Sequence, residues 1–204
     1  MRADTTGGMK ITSADYTTSA TDLDSCPAGR LPEFAFIGRS NVGKSSLINL
    51  LTLRHGLAKV SETPGKTQLI NFFTINGTWS LVDLPGYGFA KVAKHKRADF
   101  NEAVADFLEK RASLRHTFVL IDSRLPPQKI DVAFLDWLAT TAADFSLVFT
   151  KADKQSAGKT GASVARFQRE VIERLPRRPE IFISSATSKL GRKEILAHIG
   201  RLLD

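Results

Sequence analysis

Glu33-Phe34-Ala35-Phe36-Ile37-Gly38-Arg39-Ser40-Asn41-Val42-Gly43-Lys44-Ser45-Ser46-Leu47-Ile48-Asn49-Leu50-Leu51 is the stretch on which the fold turns. Phe34 to Ile37 is a short apolar run stopped by Gly38, as a buried strand would be. Lys44 to Leu53 reads as a helix, with Leu47, Leu50 and Leu51 on one face. Between them lies the pattern GxxxxGKS, Gly38 to Ser45. In such a turn backbone N–H groups converge on phosphate oxygens, and the helix N-terminus adds positive dipole. Glycine is needed where a side chain would block that approach. Lys44 can reach β- and γ-phosphates, and the Ser45 hydroxyl can ligate Mg²⁺.

Outward from this stretch the chain alternates. Leu69 to Ile75 and Thr78 to Val82 are strand-like, joined by Asn76-Gly77, a strong hairpin signal. Phe100, Val104, Phe107 and Leu108 mark a helix face. Thr117 to Ile121 is a strand, followed by a helix from Lys129 to Ala142 and a strand from Phe145 to Phe149. A helix carries Val164, Phe167, Val171 and Leu175. A strand Ile181 to Ser184 and a helix with Ile195, Ile199, Leu202 and Leu203 end the chain. Strands alternating with helices imply an α/β fold, a mostly parallel sheet with helices on both faces. Six strands are expected, one of them an antiparallel edge strand from the hairpin. Residues 1–30 are polar, lack sustained periodicity and read as a flexible N-terminal arm with one short extended piece; 31–204 read as one domain.

The 204 residues are 42% hydrophobic, enough for a full core. No apolar run approaches the ~20 residues needed to span a bilayer, and the N-terminus has no apolar signal-peptide region. A single cysteine, Cys26, excludes an internal disulfide. A cytoplasmic protein without a membrane partner is expected. The net charge of +8 favours anionic partners, nucleic acid among them, and equally fits an ordinary basic surface.

Ligands of open α/β sheets bind at the carboxyl ends of the strands, where the remaining motifs fall. Asp83-Leu84-Pro85-Gly86 is a DxxG pattern. It would arise about once by chance in such a chain, so its position after a strand is what makes it informative. There Asp83 can hold Mg²⁺ through water, and the Gly86 N–H can meet a γ-phosphate. Thr150-Lys151-Ala152-Asp153 selects guanine over adenine. The Asp153 carboxylate can accept from N1–H and the 2-amino group, and adenine offers neither in that arrangement. The Lys151 stem can lie along the base. Ile183-Ser184-Ser185-Ala186 closes the last strand, where the Ala186 N–H can donate to guanine O6.

These residues carry a family resemblance. GRSNVGKSSLIN (Gly38 to Asn49), TPGKTQLINFF (Thr63 to Phe73) and DLPGYGFAKV (Asp83 to Val92), with Asp122, Arg124, Pro126, Asp131 and Trp137, resemble the EngB (YihA/YsxC) GTPases of the TrmE-Era-EngA-YihA branch. The resemblance runs from about Leu31 to the C-terminus and departs at Lys66 and Leu125, where Arg and His are common. It implies a P-loop GTPase three-layer sandwich acting in assembly of the large ribosomal subunit, with links to cell division and septation. Through it Thr67 corresponds to the threonine that completes Mg²⁺ coordination beside Ser45 and Asp83. Gly65, Lys66, Thr67, Gln68 and Leu69 would close over the γ-phosphate. An Asn at the position of Asn41 helps hold K⁺ in related branch members, so K⁺ is a candidate cofactor here beside Mg²⁺ and GTP/GDP.

The residue after DxxG is Tyr87, not the Gln that orients water in many GTPases, so slow intrinsic hydrolysis is expected, on the order of 10⁻⁴ to 10⁻² s⁻¹. Lys44, Asn41, Thr67 and Gly86 are the candidate catalytic residues. The expected partner is the large ribosomal subunit and its RNA, met by a monomer. Lys91, Lys94, His95, Lys96 and Arg97, then Arg177 and Arg178, are the candidate contact patches. Three readings stay open: a hydrolysing timer, a nucleotide-gated binding module with negligible hydrolysis, and an ATPase or kinase, which Asp153 disfavours.

Overall fold

The computed structural model describes residues 9–58, 69–87 and 94–204, the side chains of 94–101 excepted. Strand β2 (Glu33–Gly38) is buried along its whole length because it runs through the middle of the sheet. Its partners are β4 (Trp79–Asp83) and β5 (Leu114–Asp122), both parallel to it. Beyond β5 lie β6 (Phe145–Thr150) and β7 (Ile181–Ile183), again parallel. Beyond β4 lie β3 (Ile70–Ile75) and β1 (Ala14–Ala20), giving the order β1-β3-β4-β2-β5-β6-β7. The hairpin forms as expected. Asn76 and Gly77 have φ of 52° and 67°, and β3 is antiparallel to both its neighbours.

The sheet therefore has seven strands, not six, and β3 is not its edge. The added strand comes from within the expected arm. Its sequence, ADYTTSA, is pinned by polar side chains that periodicity does not register. Thr17 and Thr74 share a hydroxyl hydrogen bond of 2.8 Å, and Ser19 Oγ donates to Asn71 Oδ1 at 2.6 Å. Just upstream, Asn76 Oδ1 accepts from the Thr12 backbone N–H at 2.7 Å, and Asn76 Nδ2 donates to Lys10 O at 2.8 Å. The hairpin residue thus also anchors the arm. Further along, Arg111 donates to both Glu33 carboxylate oxygens and to Pro27 O, the last at 2.6 Å.

Alternation along β2 divides the core. Phe34 and Phe36 face α1 (Lys44–Thr52) and α5 (Arg192–Leu203), with Leu47, Ile48, Ile195 and Ile199. Ala35 and Ile37 face the other layer, with Phe107 of α2 (Lys94–Lys110), Leu135 of α3 (Lys129–Leu138) and Phe167 of α4 (Ala157–Glu170). The result is a three-layer α/β sandwich. Helix α3 ends before the expected Ala142, because Thr140 and Thr141 turn their hydroxyls onto Trp137 O and Leu138 O. Among the described residues no helix is long and apolar enough to cross a membrane.

At the amino ends of the strands a histidine pair is buried. His116 Nε2 lies 2.8 Å from Ser146 Oγ and 3.4 Å from His198 Nε2, and His198 Nδ1 is 2.9 Å from Glu180. Burial, and then His198, push His116 down from 6.5 to about 3. The folded state thus refuses a proton that the unfolded chain accepts. This contribution is complete above pH 6.5 and is lost progressively as the pH falls towards 3. We expect unfolding free energy to fall by up to ~1.4 kcal/mol per pH unit in that window. Denaturant titrations from pH 7 to 4 should show a shallower slope in His116→Phe; parallel slopes would exclude His116 as the source.

Candidate guanine-nucleotide site

Five segments meet at the carboxyl ends of β2, β4, β5, β6 and β7. In the phosphate loop the chain turns through the left-handed region at Asn41 (φ 58°) and Gly43 (φ 103°). Gly38 is closed in by β5: a Cβ there would stand 2.8 Å from Leu120 O and 2.9 Å from Val42 Cγ1. Helix α1 starts at Lys44 with no side chain capping its N-terminus and no acidic residue in its first turn. Its first amides are thus left for an anion, which is the fit a nucleotide phosphate requires. Arg39, Ser40 and Ser45 are half-buried, Val42 is buried and Asn41 is exposed.

Lys44 Nζ pairs with Asp83, which ends β4 and is buried. Ser45 and Asp83 are all-oxygen donors, the set that suits Mg²⁺. Thr67, the third candidate, lies outside the described residues, as do Gly65, Lys66 and Gln68; Leu69 is exposed beside them. Leu84 and Pro85 are buried, and Leu84 N–H donates to Phe36 O at 3.0 Å. Gly86 then passes so close to the phosphate loop that a Cβ would lie 2.8 Å from Gly38 O and 3.4 Å from Ser40 N. The DxxG segment and the phosphate loop are in direct backbone contact.

On the base side, Thr150 Oγ1 donates to Val42 O at 2.6 Å and to Ile121 O at 3.2 Å. Lys151 is left-handed (φ 60°), and its Nζ donates to Asn41 O at 2.6 Å and to Asp122 Oδ2 at 2.9 Å. The lysine thus fastens the base loop to the phosphate loop. Burial pushes the Asp122 carboxyl up, but hydrogen bonds from Arg124 and Lys151 outweigh it and hold the group at about 2. It stays charged at any physiological pH. The Ala152 N–H donates to Ser184 O. The Asp153 Oδ1 accepts from Ser185 Oγ at 2.8 Å, and that bond holds the carboxyl below its ordinary value. Ser185 is buried, its N–H donates to Leu190 O, and Ala186 is exposed next to it; Ile183 ends β7. The carboxylate and the amide expected to read guanine therefore stand on one bonded frame.

The candidate RNA patches fare differently. Lys91 lies outside the described residues, and Lys94, His95, Lys96 and Arg97 start α2 with side chains outside the description. Arg177 is exposed but paired with Asp144 at 2.8 Å. Sequence reasoning assigned no partner to Asp131. Its carboxylate accepts from Arg39 Nε at 3.0 and 3.1 Å and from Tyr87 Oη at 3.0 Å. The signal was an acid on the inward face of α3, four and seven positions before Leu135 and Leu138, all three buried.

Residues 33–151 match the family model described as 50S ribosome-binding GTPase. The chain is 49% identical over 191 residues to a probable GTP-binding protein EngB of Bacteroides fragilis, covering 94% of this chain and 95% of that one. A relative of the same description from Bacteroides thetaiotaomicron is 50% identical over the same shares. In fold the chain is similar to a crystal structure of a probable GTP-binding protein engB, with TM-score 0.67, 21% identity, and coverage of 84% and 98%. It is likewise similar to Era in complex with MgGDPNP and a segment of 16S ribosomal RNA, with TM-score 0.67, 19% identity, and coverage of 84% and 56%. With the matched model spanning the phosphate loop, the DxxG segment and the start of the base loop, and with about half of the 191 aligned positions shared with such relatives, the chain belongs to the EngB family of GTPases.

Proposed function

We propose that this GTPase is a GTP-driven timer in the assembly of the large ribosomal subunit, and that cell division and septation depend on it through that role. The carrying observation is the Asp153–Ser185 bond, which fixes the carboxylate expected to read guanine, within a chain that matches a ribosome-binding GTPase model. In this reading Lys44 and the α1 amides bind the β- and γ-phosphates. Ser45, Asp83 and Thr67 would hold Mg²⁺, whose chemistry there is to neutralise charge as the γ-phosphoryl leaves. The Gly86 N–H meets the γ-phosphate and reports its presence to the residues that follow.

Tyr87 cannot take the part of a water-orienting glutamine in this arrangement. Its ring is stacked on Phe134 at 4.3 Å and its hydroxyl is bonded to Asp131. Burial, and then the Asp131 charge, push the phenol well above its ordinary value, so it is no base at neutral pH. Hydrolysis is therefore slow until a partner or cation assists. Asn41, exposed in the phosphate loop, would help hold K⁺ beside the β/γ bridge. We expect the rate in K⁺ to exceed that in Na⁺ by about tenfold or more, given that one added positive charge acts as an arginine finger does. Equal rates would end that role.

The partner is the subunit's RNA, met by a monomer with no membrane, through phosphate contacts from the basic start of α2. Co-sedimentation with ribosomal subunits in GTP-analogue, GDP and nucleotide-free states tests this. Large-subunit binding that requires the GTP analogue and weakens on charge reversal at Lys94, Lys96 and Arg97 is the expected result. Binding indifferent to nucleotide would overturn it. The buried Tyr87 also favours a second reading, a nucleotide-gated binding module with negligible turnover; hydrolysis unchanged by added subunits would select it.

A further inference from the structure

Asp131 stands in the first turn of α3 and is 1% exposed. Burial pushes its carboxyl up, against the pull of Arg39 and Tyr87. Each of the two groups bonded to it belongs to a different phosphate-facing segment: Arg39 to the phosphate loop, Tyr87 to the end of DxxG. The two segments also meet through their backbones, in a parallel bridge between Arg39 and Tyr87. Gly86, just before Tyr87, runs so close to the phosphate loop that a Cβ there would stand 2.8 Å from Gly38 O and 3.4 Å from Ser40 N.

The side chains of this cluster are turned into the protein. Arg39 gives Nε to the carboxylate, and Tyr87 lies flat on Phe134. The bonds of the cluster are made within the protein, so its role is sought in placement and not in chemistry on the nucleotide. A buried charge pair adds little net stability over an apolar one; its best-attested return is a single relative placement of the parts it joins. Here those parts are the phosphate loop and the γ-phosphate donor Gly86. A donor acts on developing charge only when held close to its working position in advance. Misplacement by about 1 Å can cost on the order of 100-fold in rate.

We propose that Asp131 is a positioning residue for GTP hydrolysis, holding Arg39 and Tyr87 together so that the Gly86 amide stays docked beside the phosphate loop. GDP has no γ-phosphate and is held by the phosphate loop and base loop alone. The cluster therefore acts on GTP over GDP and on turnover, not on nucleotide binding as such. The inference rests on the site being a GTP site.

The test uses the full chain with Asp131→Asn and Tyr87→Phe. The first keeps shape and removes the charge facing Arg39; the second keeps the stacked ring and removes the hydroxyl. Fluorescent GDP and a non-hydrolysable GTP analogue give affinities, and single-turnover hydrolysis at saturating GTP gives the rate. We expect a rate lower by about 10- to 100-fold and a weaker GTP analogue, with GDP affinity within about twofold. Rates equal to the unaltered chain overturn the proposal. So does a parallel fall in GDP and GTP-analogue affinity, which marks a merely structural role. If Asp131→Asn does not fold, Tyr87→Phe alone carries the same test. An unaltered chain that binds neither nucleotide overturns the reading of the site together with the proposal, which separates the two failures.

Discussion

Asp153→Asn should lose GTP and GDP affinity by on the order of 10² to 10⁴-fold while leaving the fold intact. In the proposed reading the carboxylate would accept two hydrogen bonds from guanine, and each such charged bond contributes about 1.5–3 kcal/mol. Removing the charge weakens one bond. Turning an NH₂ towards the 2-amino group sets donor against donor, which is worse than an empty place. The fold should tolerate the change because Asn Oδ1 still accepts from Ser185 Oγ, the 2.8 Å bond that ties the base loop to the β7 loop. Xanthine carries a carbonyl where guanine has its 2-amino group, so the variant should gain xanthosine nucleotides as it loses guanosine ones. Titration of both series by calorimetry reads this. Retained GTP affinity, or loss of both series, would remove Asp153 from base recognition.

Gly191→Ala should destabilise the chain by about 2–5 kcal/mol and loosen the base loop. Gly191 precedes α5 at φ 79°, where a Cβ costs about 1–2 kcal/mol in strain. That Cβ would also stand 2.2 Å from Ile183 O and 3.1 Å from Ile183 C, which are backbone atoms of β7. They cannot turn aside as a side chain could, so the strand end or the helix start must move. Such overpacking adds about 1–3 kcal/mol. The moved atoms carry Ser184 and Ser185, so guanine affinity should fall with stability. Urea denaturation and GDP titration of the same sample measure the two losses. A stability loss under ~1 kcal/mol would show that the β7 end yields readily.

Much of the candidate nucleotide site was legible because its chemistry is local. Gly38, Gly43, Lys44 and Ser45 fall within eight consecutive positions, 38–45, whose backbone shapes a phosphate cradle. Asp83, Asp153 and Ser185 each follow a strand that an apolar run announces. Strand ends of a parallel sheet converge, so placing the strands placed the site. Strand β1 was legible only as a short extended piece without bounds or partner, for the opposite reason. ADYTTSA shows neither period clearly; what makes it a strand is its pairing with β3, where Thr74 and Asn71 bond to it from more than 50 positions away. The early stop of α3 was missed likewise, because threonine hydroxyls compete locally with the helix ladder.

The sequence by itself determined the layer order, the guanine choice and the family, since each depends on residue types at short, fixed spacings. Only the tertiary structure decided how these parts are joined. Lys151 reaches Asn41 across 110 positions, and Arg39 reaches Asp131 across 92. Neither bond follows from pattern, because a charged side chain selects its partner by what burial leaves within about 3 Å of it. That choice is made only when β2, β5 and β6 lie side by side and α3 packs over them.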